Sequence, residues 1–164
     1  MRRKDREMDK NFALDVLKKS PYVVLSLTDE NNNPYCIPIS IVLEENHLYF
    51  HCAMEGKKID LLKNNNQICI CAVSRCKPRP EDFTMEFESV VLYGKAEEVK
   101  EKEEKIHALK LICLRYAKSN MKMFDDAINR SLERTNVIKI NIDEITGKRK
   151  KYSKEGKELK FGEN

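Results

Sequence analysis

The chain has 164 residues, 41% of them hydrophobic and 35% charged, with 5 Gly and 5 Pro. That profile suits one globular domain burying roughly 70% of its unfolded surface, and excludes a repeat array or a disordered chain. The net charge of +4 resides in residues 148–164, with 7 basic against 3 acidic residues, leaving 24 of each before them. The expectation is a single domain over residues 1–147 and a solvated basic tail over 148–164, with nucleic-acid binding disfavoured.

In chain order, Phe12, Val16 and Leu17 recur with helical spacing, so residues 9–19 predict a helix ended by Pro21. "YVVLSLT" (residues 22–28) predicts a strand and "DENNNP" a turn. "YCIPISIVLE" (35–44) is a second strand, in which Pro38 removes a ladder donor and argues for an edge or a bulge. "HLYFHCA" (47–53) is a third. A loop broken by Gly56 leads to a short amphipathic helix over residues 57–63. "QICICAVS" (67–74) is a fourth strand. "FTMEFESVVLYGKAEEV" (83–99) is a long fifth, with a bend at Gly94. Two helices follow, over residues 100–118 and 125–134, the first with an apolar stripe of Ile106, Leu109, Leu111, Ile112 and Tyr116. A sixth strand spans residues 135–147. Six strands joined mostly by hairpin-length turns predict an antiparallel sheet closing into a small barrel, with helices on its flanks.

No apolar run approaches the roughly 20 residues that cross a bilayer, and the basic N-terminus has no apolar segment after it. A cytoplasmic location is the resulting expectation. In that setting the six cysteines (Cys36, Cys52, Cys69, Cys71, Cys76, Cys113) are not expected to form disulfides. Cys69 and Cys71 share one face of a strand and lack a zinc-ligand spacing, so buried thiols acting as small hydrophobes are predicted.

The chemistry concentrates in "YFHCAMEGKKIDLLK". Lys57 and Lys58 stand at a helix start, the wrong end of the helix dipole for cations, at a cost of roughly 0.3–1 kcal/mol each. A glycine there leaves backbone N–H groups unpaired, an arrangement suited to phosphate; a bound dianion would remove the cost and gain two charge-assisted contacts. The competing reading is two solvated lysines after a plain turn. His51, with an ordinary pKa near neutrality, could donate a proton or make a structural hydrogen bond. His47 and His107 have no companions in sequence and read as surface or packing residues.

"CIPISIVLEENHLYFHCAMEGKKIDLLKNNNQICICAV", followed by "ESVVLYGKAEEV" and "IDEITGKR", resembles the FMN-binding split-barrel family related to pyridoxamine 5′-phosphate oxidase, most closely its nitroimidazole-resistance-type members. The resemblance implies a six-stranded antiparallel split β-barrel with flanking helices, and a homodimer with FMN at the subunit interface. It implies that Lys57 and Lys58 hold the FMN phosphate, and that His51 and Cys52 line the strand end beside it. Pro38, Ile39, Ser40 and Ile41 would run beside the isoalloxazine ring through backbone groups. Ser89 would face the flavin, against the alternative of a solvent-facing hydroxyl, and Lys148 would stand at the rim. The oxidase's arginine–lysine phosphate pair is here two lysines, which bind as point charges rather than planar forks. Its arginine-bearing C-terminal substrate motif is not recognisable. The implied function is an FMN-dependent oxidoreductase that passes electrons from a nicotinamide cofactor, NAD(P)H, to a small flat acceptor such as a nitroaromatic or quinone, with His51 as candidate proton donor. The alternative is a non-catalytic flavin- or haem-binding split-barrel protein.

Overall fold

The computed structural model describes residues 1–163. Its elements run β1 (Glu7–Met8), α1 (Lys10–Lys19), β2 (Val23–Thr28), β3 (Pro34–Ile39), β4 (Val42–Glu44), β5 (His47–Ala53), α2 (Lys57–Asn64), β6 (Gln67–Arg79), β7 (Thr84–Glu98), α3 (Lys102–Tyr116), α4 (Phe124–Ser131), β8 (Thr135–Tyr152) and β9 (Glu158–Leu159). All strand pairs are antiparallel, in the order β3-β2-β6-β7-β8-β5-β4. The two ends of that path, β3 and β4, are joined through Ser40 and Ile41 alone. Three Cα–Cα steps span at most about 11 Å, so the sheet must curl until its edges nearly meet. It is a barrel closed by the chain rather than by a ladder.

Alternation builds the interior. Val23, Leu25 and Leu27 of β2, Ile68, Ile70 and Ala72 of β6, and Val90 and Leu92 of β7 point inward and are buried. Ala13, Val16 and Leu17 of α1 join the same core. Asp9 caps α1 by accepting the Phe12 N–H at 2.8 Å, which fixes where the helix starts. A second core, with Tyr49, Val99, Ala108, Leu109, Leu132 and Val137, lies under α3 and α4.

Among the described residues nine strands appear where six were expected, because β1 and β9 are two-residue additions and Ser40–Ile41 divides one expected strand in two. Pro38 occupies edge strand β3, as its missing N–H requires. The basic tail is not free. β8 runs on to Tyr152, with Lys148, Arg149 and Lys150 opposite Ser89, Glu88 and Phe87. Beyond it β9 folds back on β8, and Glu158 binds Arg6 through two contacts of 2.6 and 3.0 Å. Complementary charges from the N-terminus therefore hold much of the segment whose charge excess looked solvated; its last residue, Asn164, lies outside the described residues. Cys69 and Cys71 also depart from expectation. They share one face, but it is the outer one: Cys71 is exposed and Cys69 half-buried, because Ile68, Ile70 and Ala72 take the inner face.

Candidate functional site

Gly56 precedes α2 with φ 122° and ψ 165°, a conformation that side chains rarely adopt. It offers no side-chain cap, so the Lys57 and Lys58 N–H groups lack partners among the described residues, whereas the Ile59 N–H donates to the Gly56 carbonyl at 2.8 Å. Gly56 is exposed, and a Cβ there would meet nothing within 4 Å; conformation rather than crowding demands the glycine.

Lys57 and Lys58 flank this start. Neither joins an ion pair among the described residues. The Lys57 ammonium lies 4.7 Å from the centre of the Tyr35 ring, and the Lys58 ammonium 5.6 Å from that of Phe50. α2 is thus held against β3 and β5 by aromatic faces, leaving the positive charges uncompensated beside unpaired N–H donors. A donor set of this kind fits a phosphate dianion.

His51 and Cys52 are neighbours on β5 and so project to opposite faces. Cys52 turns toward the barrel core, where burial pushes its thiol pKa up. His51 lies on the other face. The residue is exposed at the surface, but partial desolvation of its ring, and then the Lys58 ammonium, push its pKa down. A bound dianion near Lys58 would reverse the second effect.

The β3 end is mixed. Pro38 and Ser40 are exposed, whereas Ile39 and Ile41 are buried. The Ile41 carbonyl accepts a hydrogen bond from the Tyr116 hydroxyl at 2.9 Å, which ties α3 to the β3–β4 junction.

Ser89 and Lys148 are register partners across β7 and β8, and Ser89 also opposes Val73 of β6. They are not beside α2. Ala96, whose N–H donates to the Asn66 carbonyl just past α2, lies seven residues further along β7, about 23 Å of extended strand. Within one chain, therefore, Lys57, Lys58 and Cys52 gather at one end of the barrel, and Ser89 and Lys148 lie towards the other.

The outer face between these groups is apolar. In register across the sheet run Pro38, Val24, Cys71 and Val91, and beside them Cys36, Ser26, Cys69 and Tyr93. Tyr22, Val73 and Tyr93 are about half exposed, at 56%, 45% and 52%. Together these residues form one contiguous, partly exposed and largely apolar patch.

Sequence reasoning missed Tyr35 and Tyr116; their strand and helix positions were read, but not what their rings or hydroxyls would meet. It also missed a cluster joining α3 to the β4–β5 hairpin. His107 Nε2 lies 2.6 Å from one Glu44 oxygen and His47 Nε2 3.5 Å from the other. Only the Glu44–His47 spacing was visible in sequence; His107 arrives from a distant helix.

Residues 9–149 match the family model described as pyridoxamine 5′-phosphate oxidase. No curated protein matches the chain. Among solved structures, a protein of Bacteroides thetaiotaomicron proposed for 5-nitroimidazole antibiotic resistance is 31% identical. It matches over 86% of this chain and 84% of its own, with a TM-score of 0.73. The flavocytochrome Anf3 of Azotobacter vinelandii is similar in fold, with a TM-score of 0.74 at 20% identity over 92% of this chain and 70% of that one. So is the FAD- and haem-binding protein of Mycobacterium smegmatis, with a TM-score of 0.76 at 14% identity over 89% and 73%.

Proposed function

Because the chain belongs to the pyridoxamine 5′-phosphate oxidase family, we propose that it is an FMN-dependent oxidoreductase, reducing a small flat acceptor such as a nitroaromatic or quinone with electrons from NAD(P)H. The observation that carries this reading is the start of α2: an uncapped Gly56, and two adjacent lysines that join no ion pair and whose N–H groups have no partner among the described residues. The 31% identical protein proposed for nitroimidazole resistance favours a nitroaromatic acceptor.

Lys57, Lys58 and the first N–H groups of α2 bind the FMN phosphate. FMN supplies the hydride and electron chemistry, and the protein binds and orients it. His51 stands beside Lys58 and takes up a proton more readily once the phosphate is bound, which places an imidazole of adjustable charge at that end of the site. Exposed Pro38 lies on the same edge strand as Tyr35, the aromatic partner of Lys57, and exposed Ser40 follows just past its end.

The site is completed by a second copy of the chain. Ser89 and Lys148 are too far along β7 and β8 to share a ligand's phosphate end with α2 of their own chain. The apolar outer face around Val24, Cys71, Val91 and Tyr93 supports a two-fold interface that brings them to the partner's flavin.

A second reading is a flavin- or haem-binding protein without turnover, favoured by the fold likeness to the flavocytochrome and to the FAD- and haem-binding protein. One experiment separates them. Purified protein is denatured and the released small molecule weighed by mass spectrometry, while a native sample is mixed anaerobically with NADPH and then with a nitroaromatic. Released FMN, bleaching by NADPH and recovery of colour on adding the acceptor support the reductase. FMN that stays oxidised supports the binder, and a colourless protein that refuses added FMN overturns both.

A further inference from the structure

Arg149 carries a buried charge that no carboxylate answers. It lies on β8 opposite Glu88, is 8% exposed, and joins no ion pair among the described residues. Its Nη2 donates to the Lys160 and Glu163 carbonyls at 3.1 and 2.7 Å, whereas its Nε is buried without a hydrogen-bond partner. The Glu88 carboxylate accepts instead from the Ser74 hydroxyl at 3.0 Å. Lys151, next on the same face of β8, also joins no ion pair among the described residues. A guanidinium withdrawn from water without a counter-charge is costly. Its strongest complement is an oxyanion held by two parallel N–H···O bonds, and Nε with Nη2 forms one edge of that planar fork. Here the edge holds neutral carbonyls at one corner and nothing at the other.

Those carbonyls belong to a strap. Past β8 the chain folds back over it: β9 pairs with Lys151 and Tyr152, and a turn closes where the Glu163 N–H donates to the Lys160 carbonyl at 3.0 Å. Leu159 is buried but belongs to neither hydrophobic core. The strap is fastened by charge to the N-terminal segment. Glu158 binds Arg6, and the Lys160 ammonium lies 2.8 Å from both the Asp5 and the Glu158 carboxylates. Its charged fastenings are therefore with exposed and half-buried groups, outside the barrel interior.

We propose that Arg149 is an oxyanion-binding site that the Lys160–Glu163 turn keeps closed. When the strap lifts, a carboxylate or phosphate group replaces the two carbonyls and takes up the Nε donor, with the Lys151 ammonium beside it. The site faces away from Lys148, its neighbour on β8, and does not rest on the flavin reading.

The test follows the Arg149 Nε–H by NMR in the full chain at constant ionic strength, during titration with benzoate, inorganic phosphate or chloride. Benzoate, phosphate or both should move that resonance saturably, together with the Lys160–Glu163 amides. Chloride, which cannot span two donors, should not. Phosphate bound at the start of α2 moves the Lys57 and Lys58 amides and is fitted apart, so either site can fail while the other remains readable. Closure lowers the apparent affinity by the open fraction, so Glu158→Gln, which loosens the strap, should tighten binding by about fivefold or more. Arg149→Lys keeps the charge but loses the two-donor edge, and should weaken binding, read at the Lys160–Glu163 amides, by about tenfold or more. If that variant does not fold, the Glu158→Gln comparison decides alone. A response to phosphate alone identifies a phosphoryl ligand and a response to benzoate alone a carboxylate; both sustain the site. The proposal is overturned if neither oxyanion moves the Nε–H in Glu158→Gln, if chloride matches them, or if either variant binds with wild-type affinity.

Discussion

The Lys57 ammonium rests 4.7 Å from the centre of the Tyr35 ring, so the start of α2 is fastened to edge strand β3 by a charge that joins no ion pair among the described residues. At an exposed site that contact contributes about 0.5–1 kcal/mol. A hydrogen bond from an ammonium to a phosphate contributes about 1.5–3 kcal/mol. Replacing Lys57 and Lys58 together with alanine should therefore weaken FMN binding by about a hundredfold or more. The Tm of the apoprotein should move little. Fluorescence titration of apoprotein with FMN measures the first and calorimetry the second; wild-type flavin affinity in the double variant would remove the phosphate assignment.

The pKa of His51 is lowered first by burial of its ring and then by Lys58. Its folded value thus lies below the unfolded one, near 6.5. Between the two the unfolded chain binds more protons, so apoprotein stability falls as pH drops through that window. Lys58→Met removes only the second cause and should raise the His51 pKa part of the way back. NMR titration of the imidazole ring protons reads this directly. An unchanged value in Lys58→Met would mean that Lys58 does not act on the ring.

Cys71 lies in register between Val24 and Val91 at the centre of the exposed apolar face. Cys71→Glu places a charge there without touching the barrel core, since the side chain points outward. If two copies meet through this face, the variant should become monomeric and lose FMN together, because Ser89 and Lys148 no longer reach the partner's site. Light scattering with in-line flavin absorbance follows both properties. A variant that stays dimeric, or a wild-type protein that is monomeric with full flavin, would rule out this interface.

The antiparallel sheet was legible because β2 and the first half of β6 alternate, and Pro38 argued for an edge or a bulge, of which the edge is what it occupies. The candidate phosphate turn was legible because lysines at a helix start carry a visible electrostatic cost. Faces and ends were harder. "CICAV" alternates whichever way it is turned, and only the larger inward volume of Ile68 and Ile70 decides that Cys69 and Cys71 point out. β6 was expected to end near Ser74 because two prolines follow. It continues to Arg79 because Pro78 lies beyond the paired length of β2, with β7 as its one partner, and so forfeits no second ladder. The C-terminal charges read as solvated because Asp5, Arg6 and Glu158 meet only in three dimensions.

The Arg6–Glu158 clasp between the N-terminus and β9 predicts an acid-sensitive element. The hydrogen-bonded Arg6 guanidinium, helped by Lys160, pulls the Glu158 pKa from the usual 4.5 down to about 2. A carboxylate whose folded pKa is depressed stabilises the fold above its unfolded pKa, and the contribution is lost as pH falls through the folded value. The pair is partly screened, with side-chain exposures of 14% and 20%, which leaves a contribution on the order of 1–3 kcal/mol. Glu158→Gln should lower stability at pH 7 by that amount and flatten the dependence between pH 4.5 and 2. Urea unfolding across that range measures it; parallel wild-type and variant curves would show that the clasp is energetically silent.

Gly94 lies at the irregularity in the β7–β8 ladder, where the register shifts between Tyr93 and Gly94. A Cβ built there would press into the Asn141 carbonyl oxygen, closer than real Cβ atoms approach, with the Ile140 side chain 3.3 Å away. Neither neighbour yields cheaply: the first is backbone fixed in the same ladder, and Ile140 is fully buried. Gly94→Ala must therefore shift β8 against β7. Overpacking of this kind costs about 1–3 kcal/mol or more, a fall in Tm of about 2–4 °C for each kcal/mol in a chain of this size. Gly156→Ala is the control for glycine-to-alanine strain alone, because its φ is +84° but nothing lies within 4 Å of its Cβ position. The Gly94 variant should lose clearly more stability than the Gly156 variant, measured by calorimetry on both. Equal losses would mean that the close approach of Asn141 relaxes freely, and that the bend in β7 is set by its ladder rather than by the missing side chain.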